Sequence, residues 1–149
     1  MTNIKKLILP KVPNYIIIEV HNSIRDGVDQ AWLGDRATQK LDQYSWIPGN
    51  STVQAWCTAN ISPDIYFGIQ VITGDLPIHR DIGTEVKFNY VIEPGGESVT
   101  NFYSDEYKLI ESVVLQPHNW YILNVNIFHD VKNITPGATR VSIVGRISP

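Results

Sequence analysis

The stretch Ile65-Tyr66-Phe67-Gly68-Ile69-Gln70-Val71 alternates, so that Ile65, Phe67, Ile69 and Val71 fall on one face of an extended chain. A period of two marks a half-buried strand, and the turn signal Thr73-Gly74-Asp75 follows at once. The same grammar recurs downstream. Val86 to Ile92 alternates and stops at Glu93-Pro94-Gly95-Gly96, Val99 to Tyr103 follows, and Val113 to Leu115 precedes Pro117. Trp120 to Phe128 and Arg140 to Ile147 complete the series on either side of the Pro136-Gly137 turn. Short strands at roughly 8–12-residue spacing predict a mainly β sandwich or jelly roll.

Upstream of this series the period becomes helical. Ile24, Val28, Ala31 and Trp32 predict a helix begun by Asn22 or Ser23 and stopped at Gly34. Val53, Trp56 and Cys57 predict a second helix from Ser51, after the turn Pro48-Gly49-Asn50. Both are expected to buttress one sheet from outside.

With 149 residues and 43% hydrophobic content, the chain suits one domain over 1–149; a domain of this size buries roughly 70% of its unfolded surface. A net charge of −3 and a pI of 5.7 leave no broad basic surface, so no nucleic-acid partner is expected. The lone Cys57 excludes an internal disulfide and any zinc site that needs two thiolates. The run Leu7-Ile8-Leu9 is too short for a signal-peptide core. No run approaches the ~20 apolar residues of a membrane span. A cytoplasmic location without membrane contact is therefore expected, and the sequons at Asn50, Asn60 and Asn133 are expected to stay unmodified.

The chemistry concentrates in Leu76-Pro77-Ile78-His79-Arg80-Asp81. At a strand end, His79 and Asp81 share one face. His129 lies fifty positions later, at the end of the Trp120 to Phe128 strand, with the parity of Val125 and Ile127. Two imidazoles and a carboxylate on one face of an octahedron bind non-haem Fe(II) and leave adjacent positions open. Arg140 and Ser142 share a face of the last strand, where a guanidinium fork and a hydroxyl can clamp a carboxylate. Asn89 and, with less weight, Lys87 continue the parity of His79 and Asp81 if the strand runs regularly through the Gly83 turn. Tyr103 is a further candidate for the same cavity.

These residues resemble the Fe(II)- and 2-oxoglutarate-dependent oxygenases built on the double-stranded β-helix, a cupin-like jelly roll. The resemblance is carried by His79-Arg80-Asp81, His129 and Arg140-Val141-Ser142. The flanking Trp120-Tyr121-Ile122-Leu123-Asn124 and Asp130-Val131-Lys132-Asn133 look similar to aspartyl/asparaginyl-hydroxylase-like and prolyl-hydroxylase-like branches found in phage and marine genomes. It covers about residues 63–147. The resemblance implies Fe(II) on His79, Asp81 and His129, and 2-oxoglutarate held by Arg140 and Ser142 with Asn89 nearby. It further implies dioxygen as oxidant and hydroxylation of a peptidyl side chain or small molecule, with succinate as coproduct. The loop Ser104 to Glu111 and the segment Ser45 to Asn50 are expected at the rim.

Each residue also has a structural reading. His79 can be an ordinary hydrogen-bonding histidine, Asp81 a turn residue, and His129 a partner of Asp130 or a backbone carbonyl. Arg140 can pair with Glu97 or Asp105 at the surface. His21 and His118 read as solvated. Trp32, Trp46, Trp56 and Trp120 read as packing, and Cys57 as a small buried apolar residue. The competing functions are a non-enzymatic jelly-roll binding module and a cupin-like metalloprotein that does not use 2-oxoglutarate.

Overall fold

The computed structural model describes residues 3–31, 41–81, 84 and 86–147; the expectations for Trp32, Gly34 and Gly83 lie outside these. In chain order the elements are β1 (Ile4–Leu7), α1 (Asn14–Asp26), β2 (Tyr44–Pro48), α2 (Ser51–Asn60), β3 (Phe67–Ile72) and β4 (Leu76–His79). They continue as β5 (Val86–Pro94), β6 (Val99–Tyr103), β7 (Leu109–Val113), β8 (Trp120–Asn124), β9 (Phe128–Lys132) and β10 (Arg140–Ile147). A six-stranded sheet in the order β1-β8-β5-β10-β3-β2 faces a four-stranded sheet in the order β4-β9-β6-β7. All neighbouring strands are antiparallel. This is the expected mainly β jelly roll.

Alternation sorts the six-stranded sheet into two faces. Phe67, Ile69, Tyr90, Ile92, Trp120, Val141 and Ile143 point outward and form one core with Ile16 and Val20 of α1 and Val53 and Cys57 of α2. Facing the other sheet, Val91, Tyr121 and Leu123 pack with Phe102 and Leu115, and Ile72 packs with Leu76 and Val131. The helices therefore cover the outside, as expected, and the inner faces are free to build a site.

Helix α1 begins earlier than Asn22 or Ser23 and ends at Asp26, capped by Gly27 N–H to Ser23 O at 2.8 Å. Its buried stripe is Ile16, Val20 and Ser23, spaced i, i+4, i+7. Ser23 is no N-cap, because its hydroxyl donates back to the Glu19 carbonyl at 2.7 Å and accepts from Asn50 N–H at 2.9 Å. Val28, expected inside a helix, is exposed. Helix α2 starts where expected: the Asn50 side chain accepts from Val53 N–H at 3.0 Å.

Two strand expectations also change. The run Trp120 to Phe128 is not one strand. β8 ends at Asn124 in the six-stranded sheet, and the chain crosses to the four-stranded sheet before β9 begins at Phe128. Near Val113 the strand is Leu109–Val113 rather than Val113 to Leu115, because Leu115 turns into the core between the sheets. Strands β1 and β2 were not expected. β1 is an edge strand whose two lysines are exposed, so its four residues carry little apolar period.

Candidate metal centre

His79 and His129 are register partners across β4 and β9, which brings their rings to 4.3 Å between centroids. Asp81, just past β4, is anchored by its own N–H, which donates to Val125 O at 2.8 Å. Its carboxylate is buried, and Oδ1 stands 3.9 Å from Nε2 of each histidine. The three residues offer ligand atoms that all lie within 4.8 Å of one another.

The histidine tautomers follow from the backbone. Nδ1 of His79 lies 2.7 Å from Pro77 O, and Nδ1 of His129 lies 2.8 Å from Ile127 O. A carbonyl oxygen only accepts, so each Nδ1 carries a proton and each ring turns its Nε2 toward Asp81. Burial, with the His79 imidazole alongside, pushes His129 down to about 4, so that ring is neutral at neutral pH. Two imidazole nitrogens and a carboxylate oxygen thus converge. Such a set of acceptors is complementary to a cation, and backbone carbonyls on the far nitrogens orient metal-binding histidines. The donor set of two nitrogens and one oxygen fits Fe(II) or a similar divalent ion.

His129 points inward, but not because of parity with Val125 and Ile127, since the crossover between sheets breaks that strand. Its orientation comes from β9 alone, where His129 and Val131 face inward opposite Phe102 and Thr100 of β6. Asp130 takes the other face. It accepts from Asn101 Nδ2 at 2.9 Å and from Tyr103 Oη at 2.7 Å, so it does not hold His129. Tyr103 therefore lies behind the four-stranded sheet and does not reach the cavity.

Arg140, Ser142 and Val144 share the inward face of β10 opposite Ile72, Gln70 and Gly68 of β3. Arg140 is buried and does not meet Glu97 or Asp105; its Nη1 crosses to Thr100 Oγ1 of the other sheet at 3.3 Å. Burial pulls its guanidinium down to about 10, still charged at neutral pH. Among the described residues, Arg140 Nε, Ser142 Oγ and Asn89 Oδ1 are buried without a hydrogen-bond partner. Asn89 lies on β5 opposite Val144. Such orphaned polar atoms are costly in a closed core and normally signal water or a ligand.

Lys87, given less weight than Asn89 in the sequence, makes the nearer contact: its Nζ is 2.6 Å from Asp81 Oδ2. Thr100 gave no signal, because a threonine in a strand is an ordinary β-former. His118 is exposed in a left-handed turn, and His21 is exposed beside Glu93 at 3.4 Å. Trp120 and Trp56 pack in the outer core, while Trp46 is half-buried and lies against Gly68. Burial pushes the Cys57 thiol up to about 12, consistent with an inert core residue.

No protein-family model and no curated protein matches the chain. Solved structures do share its fold. Hydroxypropylphosphonic acid epoxidase from S. wedmorenis superposes with a TM-score of 0.50 and 14% identity, covering 72% of this chain and 52% of that one. Fe(II)-HppE with an alternative substrate superposes with a TM-score of 0.51 and 13% identity, covering 83% of this chain and 57% of that one. The chain thus spans about half the length of the structures it matches. These likenesses place its fold among the cupin-type jelly rolls.

Proposed function

We propose that the chain is an Fe(II)- and 2-oxoglutarate-dependent oxygenase that hydroxylates a peptidyl side chain or a small molecule. His79, Asp81 and His129 would hold the metal. The observation that carries the choice of cosubstrate is the buried Arg140 guanidinium, held by one neutral hydroxyl and facing the same interior as the metal ligands. A cation in that state is complementary to a carboxylate deep in the barrel. Ser142 would add a hydroxyl to it.

When bound, Fe(II) supplies the redox chemistry by which dioxygen is divided between 2-oxoglutarate, released as succinate and carbon dioxide, and a substrate C–H bond, released as an alcohol. The protein's own work is positional. Arg140 and Ser142 hold the far carboxylate of the cosubstrate, Asn89 offers a carbonyl or amide beside it, and the apolar inner faces exclude water. No described helix is long and apolar enough to cross a membrane. The half-buried Trp46 on β2 and the loop before β7 would form the rim over the substrate.

The test is an anaerobic titration of Fe(II) with 2-oxoglutarate, read as the visible charge-transfer band of a chelated keto acid. The band is expected in the wild type, absent in Asp81→Ala and weakened in Arg140→Ala. Metal uptake with no band at saturating 2-oxoglutarate would replace this reading with a cupin-type metalloprotein that uses another substrate. No metal uptake by folded protein would leave a binding module.

A further inference from the structure

Lys87 is not needed to complete the set of three metal ligands, and its place at the site is built with care. It sits on the inward face of β5, opposite Leu123 and Arg146, where the alternation of the strand aims it at the end of β4. Its side chain is largely buried, and its ammonium is 2.6 Å from Asp81 Oδ2. Burying a lysine is costly without a partner. The two oxygens of Asp81 thereby receive different tasks: Oδ2 meets the ammonium, and Oδ1 faces the two Nε2 atoms, each at 3.9 Å.

We infer that Lys87 is a positioning residue that fixes the charge of the metal centre, and through it the class of ligand its open positions accept. The inference rests on the metal-site reading of His79, Asp81 and His129. Two neutral imidazoles and one carboxylate around a divalent ion carry a net charge of about +1. The Lys87 ammonium cancels the carboxylate, so the local assembly keeps about +2. Open positions on such a centre favour anions over neutral donors. Arg140, buried on the inward face of β10, adds a second cation to the same interior. Anionic chelators and anionic substrates are therefore the class that the site selects.

The experiment uses the Co(II)-loaded protein and two small probes of the same open positions: azide, an anion, and imidazole, a neutral donor. Both are read by the change in the Co(II) visible bands. Lys87→Met is expected to lower azide affinity about tenfold, the scale of one charge a few ångströms away in a partly buried site, and to leave imidazole affinity within twofold. K87R keeps the charge and should restore azide binding, which a merely structural role would not explain. If Lys87→Met does not fold, Lys87→Gln serves the same comparison. Equal loss of both probes, or no loss of azide, overturns the inference while leaving the metal site intact. Wild-type protein that takes up Co(II) no better than His79→Ala overturns the metal-site reading and this inference with it.

Discussion

His79 and His129 stand opposite one another across β4 and β9, although fifty residues separate them in the chain. The pairing matters because both imidazoles are oriented by the same local device, a ring nitrogen donating to the carbonyl two residues earlier. The two rings are thus preset by their own strands. Asp81 joins them from just past β4, its N–H anchored on Val125 O and its Oδ2 met by the Lys87 ammonium.

Asp81→Asn keeps the size of the side chain and removes its charge. It should abolish tight divalent binding, with a loss greater than the roughly 10–100-fold that changes outside the ligand set produce. Calorimetric titration of Co(II) or anaerobic Fe(II) checks this. Unchanged affinity would remove Asp81 from the ligand set.

Arg140→Met should separate stability from binding. Among the described residues the buried guanidinium meets a neutral hydroxyl and no carboxylate, so an apolar chain of similar length should be neutral or stabilising by about 1–4 kcal/mol. The same change should weaken 2-oxoglutarate about 10–100-fold, the worth of lost charge-assisted hydrogen bonds. Thermal unfolding without ligand and cosubstrate titration report the two effects. A destabilised variant with intact cosubstrate affinity would contradict both.

Acid should destabilise the metal-free protein through His129. Its folded value of about 4 lies below the ordinary 6.5, so between these values the unfolded chain takes up a proton that the folded chain refuses. Stability from this group is therefore complete above about pH 6.5 and falls as the pH drops toward 4, by about 3 kcal/mol in all. Denaturant unfolding at a series of pH values measures the slope, and His129→Gln should flatten it. An unaltered slope in that variant would place the acid sensitivity elsewhere.

Asn50→Ala tests how α2 is held. It removes the cap on Val53 N–H and the contacts of Asn50 Nδ2 with Glu19, at 3.3 Å to the carbonyl and 3.2 Å to the carboxylate. A loss of about 1–2 kcal/mol is expected by chemical denaturation. A change below a few tenths would show that the helix is held by its apolar face alone.

Sequence legibility followed local regularity. β6 and β10 match their expected limits because turn residues precede each of them, Pro94-Gly95-Gly96 before β6 and Pro136-Gly137 before β10, and α2 was legible from its cap and apolar spacing. The start of α1 was not, since Ile16-Ile17-Ile18 is β-branched and the helix lacks a capping side chain: Pro13 occupies the N-cap. The break between β8 and β9 was hidden because the alternation of apolar residues runs on through Val125 and Ile127 while the chain changes sheet. In the site, His79, Asp81, His129, Arg140, Ser142 and Asn89 all face the interior between the sheets. Lys87 was given little weight and Thr100 none, because the contact of each is with a partner from another strand, which no local pattern encodes.

The centre of the six-stranded sheet is β10, hydrogen-bonded to β5 on one side and to β3 on the other. It is also the last described strand to leave the ribosome. Until it arrives, β3 and β5 each present an open edge with no neighbour between them, and the pairs that close the sheet span large sequence separations. A nascent chain halted before Arg140 would therefore expose sticky edges to other chains, and quality control would meet it in that state. The strand that brings Arg140 and Ser142 is the keystone of assembly, so their buried polar groups take their places at the same moment as β3 and β5 are joined.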